Sequence, residues 1–179
     1  MANLLIDIGN TALKASWADG MTLGKTFRYQ GERMLDFILS LTAKEKPEKI
    51  VLSSVRYFSE QNVEMLRKEC GSLMILDSAM LEERYAIPPY LTPDRAASII
   101  ASRYLFKGKG CMIFDFGTTL SSDFLDAEGR YEGGNISPGL RTRFRALNRY
   151  SRSLPLVDAP ESESGTGHDI ISSIESGFN

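Results

Sequence analysis

The chain has 179 residues, 42% of them hydrophobic and 25% charged, as expected of an ordinary globular protein with one large or two small domains. A formal net charge of −2 offers no basic excess for nucleic acid, no apolar run is long enough to span a membrane, and Asp7 comes too early for a signal peptide, so a cytoplasmic protein is expected. Two isolated cysteines, Cys70 and Cys111, and the single histidine, His168, disfavour a disulfide or zinc framework and a Ser-His-Asp hydrolase, for which G-x-S-x-G is also missing.

Asn3–Ile8 is a short apolar run that predicts a buried strand, turned by Gly9-Asn10-Thr11. A second strand over Ala12–Ala18 places Leu13, Ala15 and Trp17 on one face, with Lys14 and Ser16 on the other. Asp19-Gly20 signals a hairpin into a third strand, Thr22–Tyr29. Met34, Phe37, Ile38 and Leu41 recur at helical spacing within Arg33–Lys44. A strand at Ile50–Ser54, a helix at Ser59–Cys70 and a strand at Leu73–Leu76 follow, so the first half reads β-β-β-α-β-α-β. Periodicity is lost between Asp77 and Pro93, and Pro88-Pro89 marks a loop or linker. Asp94–Phe106 reads as a helix. Three more strands begin at Lys109, and Ser137-Pro138-Gly139 opens a helix running to about Tyr150. A polar loop over residues 158–167 and a short helix at Ile170–Ser176 complete the chain; if the halves match, a strand and helix pair is lacking at the end.

The strongest signal is a repeat. Leu4-Leu5-Ile6-Asp7-Ile8-Gly9-Asn10-Thr11 lies over Met112-Ile113-Phe114-Asp115-Phe116-Gly117-Thr118-Thr119 at one constant offset. Two copies of a strand ending in Asp-x-Gly suggest two similar halves facing one cleft. A glycine after a strand lets backbone N–H groups come close to phosphate oxygens. Asn10, Thr11, Thr118 and Thr119 add short donors, Lys14 adds a cation, and the two carboxylates can hold a hard cation such as Mg²⁺. No Walker loop is present. A single such turn would be explained by a strand-to-hairpin connection; two in register favour phosphate binding.

Other polar groups have plainer explanations. Arg141, Arg145, Arg149 and Arg152 form a stripe on a helix whose Leu140, Phe144 and Leu147 pack inward, which reads as a solvated or partner-facing side. His168 reads as a surface residue. Ser121, Ser122 and Asp123 fit either a cleft lining or simple strand alternation.

LLIDIGNTALK, DFGTTLSSDFLDAEGRYEGGNISPGLRTRFRAL and SLPLV resemble type III pantothenate kinases, within the actin/hexokinase/Hsp70-like superfamily, and GRYEGGNISPGLRTR is the most specific part. The resemblance covers nearly the whole chain in order. It implies an α/β fold of two ribonuclease-H-like or actin-like halves, residues 1–90 and 91–179, with mixed sheets flanked by helices and the second half incomplete. It implies phosphorylation of pantothenate with ATP, opening coenzyme A synthesis, by a homodimer that uses Mg²⁺ and a monovalent cation, K⁺ or NH₄⁺. Some members of the family were once labelled accessory transcription factors.

Carried over by motif, Asp7, Ile8, Gly9, Asn10, Thr11 and Lys14, with Gly117 and Thr118, would bind ATP and its phosphates. Asp7 would also stand near Mg²⁺, directly or through water, and Asp115 would sit at the monovalent-cation site. Tyr90 and Arg95 would contact pantothenate, and Asp94 would be the general base. Helix capping alone would also explain Asp94, because Thr92-Pro93-Asp94 is a good helix start.

The family pattern has a Gly-x-Asp-Arg run and more residues between the tyrosine and the Asp than Tyr90-Leu91-Thr92-Pro93-Asp94 provides. It has a pantothenate-contacting Thr where this chain carries Ile170, and last elements with a Gly-rich segment beyond the last residues here. These departures support an alternative, a family member or fragment that keeps the fold and binds ligand or dimerises without catalysing. Another kinase substrate within the superfamily is a weaker third option.

Overall fold

The structure is a computed structural model, and it describes residues 2–158 and 165–177. Part of the expected polar loop, residues 159–164, and Phe178-Asn179 lie outside the described residues. The chain forms two compact units, Met1–Leu105 and Phe106–Asn179.

The first unit opens with a meander, β1 (Asn3–Ile8), β2 (Leu13–Asp19) and β3 (Thr22–Tyr29). Gly20, at φ 55°, makes the β2–β3 turn, a conformation costly for residues with a Cβ. The meander is followed by α1 (Met34–Thr42), β4 (Lys49–Ser54), α2 (Glu60–Lys68), β5 (Ser72–Ile75), α3 (Ser78–Tyr85) and α4 (Pro93–Leu105). The strand order is β3-β2-β1-β4-β5; β1 pairs antiparallel with β2 and parallel with β4, and β4 pairs parallel with β5. This is the β-β-β-α-β-α-β series read from the sequence.

Alternation along β1 buries Leu4, Ile6 and Ile8 in a core with Leu13, Ala15, Ile38, Leu41, Ile50, Leu52 and Leu66. Each leucine or isoleucine among them contributes about 1.5–3 kcal/mol when fully buried. Tyr29 and Phe37 stack with centroids 4.9 Å apart, fastening β3 to α1. One expectation fails on β2: Ser16 is buried, not on a polar face. The register shifts between Ser16 and Ala18, and the Ser16 hydroxyl turns to donate to the Gly24 carbonyl at 3.1 Å.

Helix α3 lies where periodicity was lost. Asp77 caps it, accepting from the Met80 N–H at 2.8 Å. Helix α4 packs on β4 and α3, burying Ala96 and Ile99. The break between units therefore follows α4, whereas the expected division at 90/91 precedes it.

The second unit repeats the meander as β6 (Cys111–Phe116), β7 (Thr119–Leu125) and β8 (Tyr131–Pro138), followed by α5 (Leu140–Tyr150) and α6 (Ile170–Ser176). Among the described residues β6 has β7 as its one strand partner, whereas β1 also carries β4. Met112, Phe114 and Phe116 match Leu4, Ile6 and Ile8 in the repeat, but each is more than half exposed. Phe144 of α5 is buried with Val157 and Ile174, and Leu147 packs against them. Leu140, expected to pack inward, is 41% exposed because it occupies the first position of α5.

Helix α6 is held by a capping box: Asp169 accepts from the Ser172 N–H at 2.9 Å, and the Ser172 hydroxyl accepts from the Asp169 N–H at 3.0 Å. The backbone hydrogen bond from Ser172 holds the Asp169 carboxyl below its usual range. A carboxyl depressed in the folded state stabilises above its unfolded value and loses that contribution as pH falls through the folded value. We therefore expect α6 to fray as pH falls below the usual carboxylate range, where the Asp169 carboxylate takes up a proton. Amide exchange of Ile170–Ser176 would check this, and Asp169→Asn should flatten the dependence.

Candidate functional site

In the first unit the phosphate-turn residues gather at the C-terminal end of β1. The antiparallel register places Lys14 opposite Asp7, and the parallel register places Ser53 beside Asp7 on the other side. The Ser53 hydroxyl donates to Asp7 Oδ1 at 3.3 Å. The Gly9 N–H donates to the Ala12 carbonyl at 3.0 Å and closes the loop that presents Asn10 and Thr11 to solvent. Lys14 is exposed and forms no ion pair among the described residues. The expected cluster of Asp7, Gly9, Asn10, Thr11 and Lys14 is thus one surface of one unit.

A neighbour went unnoticed in the sequence. Beyond β4 the Val55 N–H donates to the Ile8 carbonyl at 3.0 Å, extending the parallel pairing by one residue. The next residue, Arg56, donates from its guanidinium to the Asn10 carbonyl. Ser54 shapes this bend, its hydroxyl accepting from the Arg56 N–H at 3.1 Å and donating to the Arg56 carbonyl at 2.8 Å.

Tyr90, Asp94 and Arg95 lie together at the start of α4. The Leu91 N–H donates to the Pro88 carbonyl at 3.0 Å, so Tyr90 stands in a tight turn with 68% of its surface exposed. Asp94 is half-buried in the first helical turn and accepts from the Arg95 N–H at 2.9 Å. Arg95 is 7% exposed and already engaged within the protein, so its guanidinium is not an open grip.

In the second unit, Asp115 stands opposite Ser121 near the end of β6, exposed, and among the described residues its carboxylate makes no hydrogen bond or ion pair. The Gly117 N–H donates to the Thr119 carbonyl at 2.9 Å. The Thr118 carbonyl accepts from the Gly139 N–H at 3.0 Å and from the Thr142 hydroxyl at 2.6 Å. This turn is therefore docked on the N-terminus of α5, whose unpaired N–H groups carry partial positive charge. Ser121 and Asp123 are buried, and Tyr131 donates to Asp123 Oδ1 at 2.9 Å. Arg141, Arg145, Arg149 and Arg152 are exposed, as is His168. Ile170 lines an apolar groove of about 600 Å³ with Leu147, Leu154 and Ile174.

The donor chemistry suits hard cations. Among the described residues no three His, Cys, Asp or Glu side chains converge on a point. A divalent ion held mainly by phosphate oxygens and water, with one carboxylate, fits such a surface, and that is how Mg²⁺ is usually bound. Among the described residues no helix is long and apolar enough to cross a membrane.

Residues 3–179 match the family profile described as type III pantothenate kinase. A type III pantothenate kinase of Bacteroides fragilis is 33% identical over 178 residues, spanning 98% of this chain and 73% of that protein. Another from Cytophaga hutchinsonii is 33% identical over 175 residues, with the same coverage of each. Among solved structures, a candidate Baf family transcriptional activator from Campylobacter jejuni superposes with a TM-score of 0.57 at 20% identity, covering 97% of this chain and 72% of that one. A candidate N-acetylmannosamine kinase from Listeria monocytogenes gives 0.50 at 16% identity, covering 87% and 66%. At these identities the two structures bear on the fold alone, and the fold agrees with the α/β class, two sheets flanked by helices, expected from the sequence.

Proposed function

The chain belongs to the type III pantothenate kinase family, and from that premise we propose that it transfers the terminal phosphoryl group of ATP to the primary hydroxyl of pantothenate. The product would be 4'-phosphopantothenate, at the opening of coenzyme A synthesis. The observation that carries the reading is the turn after β1. A carboxylate, a glycine-closed loop and an exposed lysine stand together at the C-terminal end of a central strand, where α/β sheets bind nucleotides.

Asp7, Ile8, Gly9, Asn10, Thr11 and Lys14 are assigned to the ATP phosphates, together with Gly117 and Thr118. Asp7 would hold Mg²⁺, directly or through water, and Asp115 a monovalent cation, K⁺ or NH₄⁺. When bound, these ions would neutralise charge on the transferring phosphoryl group. Asp94 accepts the proton of the pantothenate hydroxyl as its oxygen bonds to the terminal phosphorus, and the bond to the departing ADP oxygen breaks. Tyr90 contacts pantothenate. Arg95 grips the pantothenate carboxylate after exchanging an internal contact for it. A homodimer in the cytoplasm is part of the same proposal.

A second reading is favoured by the tight Pro88–Leu91 turn and the buried Arg95. On that reading the chain keeps the family fold and binds ligand or dimerises without turnover. Mass spectrometry of a reaction containing the purified chain, pantothenate, ATP, Mg²⁺ and K⁺ separates the two. The kinase reading expects phosphopantothenate. A folded protein that binds ATP and forms none supports the second.

A further inference from the structure

We propose that Arg56 is a phosphate-binding residue of the nucleotide site, a role that rests on the phosphate-turn reading above. Three observations place it there. The parallel pairing of β1 and β4 continues through Val55, so the chain beyond β4 reaches the turn after β1 in step with it. The Ser54 hydroxyl bonds to both the N–H and the carbonyl of Arg56 and fixes the bend that sends the side chain over the turn. The guanidinium then rests on the carbonyl of Asn10, in the middle of that turn.

The charge of Arg56 is otherwise unspent. The residue is exposed, and among the described residues its guanidinium makes no ion pair and no hydrogen bond besides the one to Asn10. A guanidinium held by one N–H to a backbone carbonyl keeps its remaining donors in a fixed fork, the geometry that suits bidentate phosphate recognition. Lys14 approaches the turn from β2, and Arg56 approaches it from β4. Two unpaired cations on opposite flanks of a turn with one carboxylate make a surface for a polyanion such as the phosphate chain of a nucleoside di- or triphosphate. A guanidinium placed only to hold the turn would serve Asn10 alone and would leave phosphate number without effect.

The test is calorimetric titration of the full chain with ATP, ADP and AMP, each with Mg²⁺, at two ionic strengths. Because Arg56 is exposed, Arg56→Ala should melt like the parent. It should weaken ATP binding by about ten- to hundredfold, the value of charge-assisted hydrogen bonds to one group. ADP should suffer less and AMP by no more than about twofold, within the uncertainty of such context-dependent contacts. The salt dependence of ATP binding should become shallower, and Arg56→Lys should recover part of the loss. If Arg56→Ala leaves ATP affinity unchanged while Lys14→Ala weakens it, Arg56 is a turn anchor and the phosphate-turn reading stands without it. Equal losses for ATP and AMP would also assign Arg56 to turn structure. No ATP binding by the folded parent would overturn both the reading and this inference.

Discussion

Replacing Asp94 by Asn is expected to lower kcat by a factor of about 10²–10⁴, with melting temperature and ATP affinity close to those of the parent. The substitution keeps the shape of the side chain. The carboxylate accepts from the Arg95 N–H at 2.9 Å, and an amide oxygen can accept the same bond. Pro93 still opens α4, and the Ala96 N–H still reaches the Thr92 carbonyl at 3.0 Å. The structural loss is the interaction of one negative charge with the helix N-terminus, worth about 0.3–1 kcal/mol. The chemical loss is larger, because an amide cannot take the proton of the attacking hydroxyl. The two explanations of Asp94, catalytic base and helix start, thus predict different things for one variant. Steady-state kinetics by product quantification, with a thermal melt alongside, decides between them. Equal turnover in both proteins would leave Asp94 with the helix alone.

The strands were legible because their signals are local. Apolar runs and period-two alternation ended at Gly9, Gly20 and Gly117, and the repeat of Asp7-x-Gly9 at Asp115-x-Gly117 located both turns. Helix α3 was not legible, for two physical reasons. Leu81 is its one buried residue, so it carries no apolar stripe. Its end is made by Ala86 in the left-handed region at φ 50°, a place where sequence reading looks for glycine. Its start was signalled by Asp77, a good cap read there as part of a loop.

The site was legible only in part. Lys14 faces Asp7 through a hairpin, a short-range relation that spacing can suggest. Arg56 meets Asn10 only because β4 returns parallel to β1, a pairing that no local pattern encodes. The burial of Arg95 is likewise a property of how α4 packs, not of the Asp94-Arg95 pair. The exposed Met112, Phe114 and Phe116 show the same limit from the other side. Their sequence matches a buried strand, and their surroundings do not.

The largest structural effect is expected from a single methyl group. Gly139 precedes α5 with φ −67°, a conformation any residue adopts, so its need for glycine is steric. A Cβ at this position would lie 2.1 Å from the Gly117 carbonyl oxygen and 2.9 Å from that of Thr118. Both are backbone atoms and cannot swing aside as a side-chain tip would. Gly139→Ala must therefore push the Gly117-Thr118 turn off the start of α5. That movement strains the bonds that the Gly139 N–H and the Thr142 hydroxyl make to the Thr118 carbonyl. Overpacking of this kind costs about 1–3 kcal/mol, and here the cost falls on a turn assigned to ATP. The variant should melt at lower temperature and bind ATP more weakly. Gly165→Ala, where a Cβ meets nothing within 4 Å, should do neither. A Gly139→Ala protein that is destabilised yet binds ATP as the parent does would separate the turn from the nucleotide and remove Gly117 and Thr118 from the site. Equal stability of the two alanine variants would mean that the turn yields freely and that its docking on α5 is not what holds it in place.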